Sequence, residues 1–245
     1  MDFYKNNGWV VYKNIFKQED IVYILENIEE YLLKYKTKMS IYDTNFTKNN
    51  ELYSIHCLHK FDERFKKFLN NSHILIDILK KLLDTENIEI TEIQAFYKPP
   101  FSNMESPIHQ DNALWCLENN EALTVCIALD KINKTNGGLK LWSKTQNLGD
   151  LKHRLSYKLG TSQTIDECEY SKFNLNDYII NDLEIGDIQI HNSRTIHSSE
   201  YNNSNKKRRS FVFGVKTKNN KLNIEKYNIK QENLIKQQKF IKNNI

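Results

Sequence analysis

Apolar positions in the first third of the chain recur at helical spacing, and from about residue 88 they recur as short β-rich runs. After Gln18-Glu19-Asp20, residues Ile21, Ile24, Leu25, Ile28, Tyr31 and Leu32 fall on one face of a 3.6-residue repeat. This predicts an amphipathic helix opened by acidic residues. Residues 61–84 repeat the signature, with Phe61, Phe65, Phe68 and Leu69 followed by Ile74, Leu75, Ile78, Leu79 and Leu82. Ahead of both, Gly8-Trp9-Val10-Val11-Tyr12 is a short apolar run suited to a buried strand.

The later runs include Ile88–Ile90, Ile93–Tyr97, Leu123–Leu129, Gly138–Trp142, Asp187–His191 and Ser210–Val215. Many short strands without intervening helices predict an all-β sandwich, barrel or jelly roll. No internal repeat and no Gly/Pro/Ser linker divides the chain, so residues 1–245 are expected to form a single domain. A strand and helices occupy about 1–87 and a β core about 88–215. A C-terminal tail over about 216–245, rich in Lys, Asn and Gln, is expected to be a surface helix with a frayed end.

Composition narrows the function classes. With 39% hydrophobic and 11% aromatic residues the chain should bury a core. A formal charge of +4, from 35 basic and 31 acidic residues, is too mild for a nucleic-acid surface. The tail offers basic residues but few aromatics to interleave with them. Cys57, Cys116, Cys126 and Cys168 are scattered, without a Cys-x-x-Cys pair, as in a reduced intracellular protein. No signal peptide, membrane span or lipidation box is read, so the cytoplasm is the expected location.

Candidate chemistry begins at Pro107–Trp115, PIHQDNALW. In an extended strand residues i and i+2 share a face, so His109 and Asp111 would project together with Gln110 turned away. Two such groups begin a metal site without completing it. A third ligand could come from His153, His191 or His197. His153 lies in the polar LGDLKHR segment, which suits a solvated loop, and His191 could point either way from its strand. His197 has the better context: it ends a strand, and a turn-rich loop then leads to Arg208-Arg209 and an apolar strand.

In four blocks the chain resembles the phytanoyl-CoA dioxygenase family of Fe(II)/2-oxoglutarate oxygenases. These are Tyr97-Lys98-Pro99-Pro100, PIHQDNALW, LTVCIALDKINKTNGGLKLW and LEIGDIQIHNSRTIHSSEYNNSNKKRRSF, in order and suitably spaced, with GWVVYKNIFKQEDI as a family-like opening. The resemblance implies a double-stranded β-helix core, jelly-roll or cupin-like, preceded by N-terminal helices. It implies His109, Asp111 and His197 as a two-His-one-carboxylate triad that leaves three positions on Fe(II) open. Arg208, eleven residues after His197, matches the arginine that binds the distal carboxylate of 2-oxoglutarate. Strand alternation would turn Arg209 away. Ser199 and Gln94 match weaker cosubstrate positions. Asn112, Trp115, Lys98 and Arg194 become substrate-binding candidates through closeness in sequence to the ligands.

The implied reaction consumes O2 and 2-oxoglutarate, releases succinate and CO2, and oxidises a small-molecule substrate. Retention of Asp111 favours hydroxylation, since related halogenases lose this carboxylate; desaturation and ring closure stay open. A small polar metabolite is expected, such as an amino-acid derivative, a phosphonate or a sugar intermediate. The chain departs from the family at Ser143-Lys144-Thr145, where Gly-Ser-His is usual, at Ser198, a common glycine, and at Ile127, a frequent aromatic of the cosubstrate wall. A jelly roll that binds a metal or ligand without turnover is the rival class.

Overall fold

The computed structural model describes residues 2–40, 43–47, 49–158 and 161–244. The N-terminal part contains α1 (Asp2–Asn7), β1 (Trp9–Tyr12), α2 (Gln18–Tyr35), β2 (Thr44–Phe46), β3 (Leu52–Ile55), α3 (Arg64–Asn71) and α4 (His73–Leu83). The core follows with β4 (Ile88–Lys98), β5 (Ser106–His109), the short α5 (Asn112–Trp115), β6 (Ala122–Ala128) and β7 (Leu139–Leu141). It continues through β8 (His153–Lys158), β9 (Thr161–Ile165), β10 (Ile179–Ile180), β11 (Ile188–Asn192), β12 (His197–Ser199) and β13 (Arg208–Thr217), and α6 (Ile224–Asn244) comes last.

Two antiparallel sheets form the jelly roll. The larger runs β1-β11-β6-β13-β4-β3-β2 and the smaller β10-β7-β12-β5, with β8 and β9 as a separate pair. Alternation along β6 shows how the sequence divides its faces. Leu123, Val125 and Ile127 join the hydrophobic core beneath α2, α3 and α4, while Thr124 and Cys126 face the space between the sheets. Ile21, Ile24 and Ile28 of α2 are almost completely buried in that core, each contributing about 1.5–3 kcal/mol relative to exposure. Ile127 therefore belongs to the helix-facing core, which corrects its expected place in a cosubstrate wall.

The helical pattern over 61–84 is realised as two helices that part at Ser72, whose ψ of 88° interrupts the helical backbone. Gly186 makes the turn into β11 possible. Its φ is +85°, its carbonyl accepts from Ile15 and Phe16 N–H, and a Cβ there would lie 2.0 Å from the Phe16 carbonyl oxygen. Among the described residues, no helix is long and apolar enough to cross a membrane.

Candidate metal and cosubstrate site

His109 ends β5 and His197 begins β12, and the antiparallel register sets the two residues opposite each other, with ring centroids 4.2 Å apart. Asp111 arrives differently from the expected i, i+2 alternation of a strand. The chain leaves β5 after His109, and Asp111 has helical backbone angles (φ −63°, ψ −30°) as the residue that opens α5. Its carbonyl accepts from Leu114 and Trp115 N–H, and Asn112 N–H is tied to the Ser193 carbonyl. Gln110 points the other way, as alternation predicts. Its side chain is buried and bonds to the carbonyls of Gly149 and Arg194 and to Leu151 N–H.

The ligand atoms of His109, Asp111 and His197 all lie within 4.8 Å of one another. Hydrogen bonds settle which atoms are free. His109 Nδ1–H donates to the Pro107 carbonyl at 2.7 Å, and His197 Nδ1–H donates to the Thr195 carbonyl at 3.0 Å. Each ring thus turns an Nε2 lone pair inward, and each Nε2 is 3.6 Å from Asp111 Oδ1. The other carboxylate oxygen is already engaged: Oδ2 accepts from Thr124 Oγ1 and, at 3.0 Å, from His191 Nε2. Burial would raise the Asp111 carboxyl, but the imidazoles of His197, His109 and His191 hold it well below the usual carboxylate range. Burial, followed by the nearby His109, pushes His197 well below the usual histidine range. Two inward-facing imidazole nitrogens and one carboxylate oxygen on a single face are a donor set that fits a divalent transition metal with open positions.

His191 is therefore a neighbour that orients Asp111, and the third inward-facing nitrogen comes from His197. His153 is also placed differently from the expected solvated loop. It sits in β8, donates through Nδ1 to the Leu151 carbonyl and accepts Gln110 N–H on Nε2. That buried role pushes its pKa down to about 4.

The triad opens onto a cavity of about 730 Å³ between the sheets, a size that accommodates drug-sized ligands. At one end β13 presents Arg208, which is 4% exposed and sits opposite Lys98 of β4. Arg208 Nη1 donates to Ser210 Oγ at 3.3 Å and Nη2 to the Gly137 carbonyl, while Nε is buried without a partner. Burial lowers the guanidinium pKa from its ordinary value. A buried guanidinium with a spare N–H, facing a cavity, is an incomplete carboxylate site. Lys98 Nζ donates to Ser199 Oγ at 2.7 Å and to the Glu200 carbonyl, and burial, then Arg208, lowers its pKa strongly. Arg209 points away, as alternation requires, and forms a fork with Asp130 at 2.7–2.8 Å.

Gln94, Ser199, Lys98 and Trp115 all line this cavity. Gln94 Oε1 accepts from His56 Nδ1 at 2.9 Å, and His56 Nε2 in turn bonds Ser54 Oγ at 3.1 Å. Asn112 and Arg194 do not line it, despite their closeness in sequence to the ligands. The Asn112 amide bonds Asp150 and both backbone groups of Leu117, and Arg194 is held on Asp150 at 2.7 Å. Both support the loop behind Asp111. Residues absent from the sequence reading also reach the cavity, among them Tyr53, His56, Glu92 and Lys230. No local pattern marks the first two, because β3 is a four-residue strand ahead of the β-rich region.

A family model described as phytanoyl-CoA dioxygenase matches residues 4–210. The chain belongs to the phytanoyl-CoA dioxygenase family. A curated relative, the probable alpha-ketoglutarate-dependent hypophosphite dioxygenase of Stutzerimonas stutzeri, is 22% identical over 233 residues, covering 86% of this chain and 75% of its own. Among solved structures, EctD from S. alaskensis with 2-oxoglutarate and 5-hydroxyectoine superposes with a TM-score of 0.69 at 19% identity, covering 89% of this chain and 75% of EctD. The non-heme alpha-ketoglutarate-dependent carbocyclase SnoK from nogalamycin biosynthesis gives 0.70 at 16% identity, covering 90% and 84%. These superpositions agree with the jelly-roll fold.

Proposed function

We propose that this phytanoyl-CoA dioxygenase family member is an Fe(II)- and 2-oxoglutarate-dependent dioxygenase that hydroxylates an unactivated C–H bond of a small polar metabolite. The observation that carries the reading is one cavity holding both a His-Asp-His face with free Nε2 and Oδ1 atoms and a buried arginine with an unspent N–H. His109, Asp111 and His197 hold the metal. Arg208 takes the distal carboxylate of 2-oxoglutarate, with Lys98 and Gln94 on the neighbouring strand of the same sheet and Ser199 on the smaller sheet. Bound Fe(II), together with 2-oxoglutarate and O2, supplies the oxidising power, and 2-oxoglutarate leaves as succinate and CO2. The chain's own work is orientation and exclusion of water. The Thr124 and His191 bonds to Oδ2 leave Oδ1 free, so that it would be the oxygen offered to the metal, and Trp115 and Leu114 line the cavity. With the metal bound, the Asp111 carboxylate would fill the position that a halide would need, which favours hydroxylation over halogenation. A cytoplasmic setting, where thiols stay reduced, suits the four unpaired cysteines.

Purified protein given Fe(II), 2-oxoglutarate and air is expected to form succinate slowly without substrate and faster with the right metabolite. His197→Ala should abolish both. Tight metal binding with no succinate from any metabolite would instead favour a binding module without turnover.

A further inference from the structure

The charges that line the cavity indicate what it takes, given the oxygenase reading on which this inference rests. Histidines aside, seven charged side chains line it among the described residues. Asp43 is paired with Lys60 at 3.1 Å and Lys158 with Glu105 at 2.9 Å. Asp111, Lys98 and Arg208 belong to the metal and cosubstrate ends. Glu92 and Lys230 remain. Among the described residues neither carboxylate nor ammonium has an ion pair or hydrogen bond, and the Lys230 amine has the Tyr227 ring 5.4 Å away as its near neighbour.

Both groups are placed by specific features of the backbone. In the β4–β13 pairing Gln94 faces Val212 and Thr91 faces Gly214, so Glu92 and Ile93 together lie across from Phe213. Such a bulge re-aims side chains. Glu92 adopts φ +48°, a left-handed conformation that is strained for a non-glycine residue. Glu92 stays on the cavity wall beside Gln94, while Ile90 and Ile93 remain in the core. Lys230 comes from α6, where Lys230, Leu234 and Gln237 fall on one helix face toward the cavity.

That helix is tied down. Asn223 N–H donates to the Cys116 carbonyl at 2.7 Å, Lys226 pairs with Asp150 at 2.6 Å, and Gln237 bonds Tyr157 N–H at 3.0 Å and the Lys158 carbonyl at 3.1 Å. It also lies beyond residues 4–210, which match the family model. The two charges act in opposite senses on one thiol. Cys57 is pushed up to about 11 by burial and by Glu92, and Lys230 opposes the rise.

A half-buried charge without a partner is unfavourable, and a ligand that supplies the counter-charge recovers that free energy. One free anion and one free cation facing the same space call for a ligand carrying one of each. An oxyanion alone, the substrate class in the name of the curated relative, would satisfy Lys230 and be repelled by Glu92. The surfaces between are apolar, from Phe46, Leu114, Trp115 and Leu234. We propose that the substrate is a zwitterion, an amino acid or close derivative, with its ammonium on Glu92, its carboxylate on Lys230 and its carbon body directed past Trp115 to the metal site.

The test is calorimetry with the twenty L-amino acids, each compared with its N-acetyl and carboxamide forms, on the metal-free protein and again with Fe(II) and 2-oxoglutarate under nitrogen. At least one zwitterion should bind, and both its singly charged forms should bind about tenfold or more weakly, a difference of about 1.4 kcal/mol. Glu92→Gln should narrow the gap to the N-acetyl form, and Lys230→Gln the gap to the carboxamide. Both variants should keep the visible band of the iron–2-oxoglutarate chelate, because neither residue touches the triad or Arg208. Binding of no amino acid, or affinities that both substitutions leave unchanged, would overturn the proposal. A missing chelate band in the parent protein would instead sink the oxygenase reading, and the metal-free titration would still decide the zwitterion site.

Discussion

Replacing Arg208 by methionine should separate a cosubstrate anchor from a structural arginine. The guanidinium is 4% exposed, bonds Ser210 Oγ and the Gly137 carbonyl, and leaves Nε buried without a partner. In the ligand-free protein it is a buried cation without a carboxylate, so an apolar side chain of similar length should leave stability unchanged or raise it. The cosubstrate complex should behave oppositely. Losing one partner of a buried hydrogen-bonded charge pair costs about 2–5 kcal/mol, which weakens 2-oxoglutarate binding by about 30-fold or more. At a ligand concentration about 100 times its Kd, the parent protein gains about 2.7 kcal/mol, or about 5–10 °C in melting temperature for a chain of this size. The same concentration should give Arg208→Met at most about a third of that gain. The assay is thermal unfolding under nitrogen, with Fe(II), with and without 2-oxoglutarate. An undiminished ligand shift would refute the anchor. A ligand-free variant destabilised by more than about 2 kcal/mol would show that Arg208 mainly holds the fold.

Three further outcomes follow from the same geometry. Thr124→Val and His191→Phe each remove one bond to Asp111 Oδ2, and each should weaken metal binding about 10- to 100-fold in an Fe(II) or Co(II) titration, without the loss expected of His197→Ala. His153, held near a pKa of about 4 when folded, is protonated at higher pH in the unfolded chain. The unfolded state therefore binds more protons between roughly pH 6.5 and 4. Stability should be full above that window and fall through it by about 3 kcal/mol, and His153→Gln should flatten the fall in urea titrations run at several pH values. Gly186→Ala must place a Cβ 2.0 Å from the Phe16 carbonyl oxygen at φ +85°, and should cost more than about 2 kcal/mol in urea unfolding.

The parts of this molecule that were legible in its sequence are those where one periodicity governs a whole element. The 3.6-residue repeat over Ile21–Leu32 matches the buried face of α2, and alternation along β13 correctly sends Arg208 inward and Arg209 to Asp130. His197 stood out because it lies at a strand end before a loop and an arginine. Closeness in sequence proved a poor guide to the cavity. Asn112 and Arg194 follow the ligands in order, yet the turn into α5 and the Asp150 ion pair carry both to its outer side. The same turn brings Asp111 to the triad by a route that simple alternation does not describe. α6 was foreseen as a surface helix, and several of its apolar residues are indeed exposed, but Lys230, Leu234 and Gln237 form a cavity wall. Its apolar residues are too sparse to reveal which face packs, because that face meets a cavity and the β8–β9 pair instead of a hydrophobic core. Glu92 was equally hidden, since a bulge depends on the partner strand's register and not on its own neighbours.

The central claim is that His109, Asp111, His197 and Arg208 form one metal and cosubstrate site. It is tested most directly by titrating the purified metal-free protein with Fe(II) and then 2-oxoglutarate under nitrogen, while watching for the visible charge-transfer band of the chelate. The account predicts a band in the parent protein, none in His197→Ala, and in Arg208→Ala a band that needs much more 2-oxoglutarate to appear. Iron that binds stoichiometrically without producing the band, or a band that survives unchanged in His197→Ala, would contradict it.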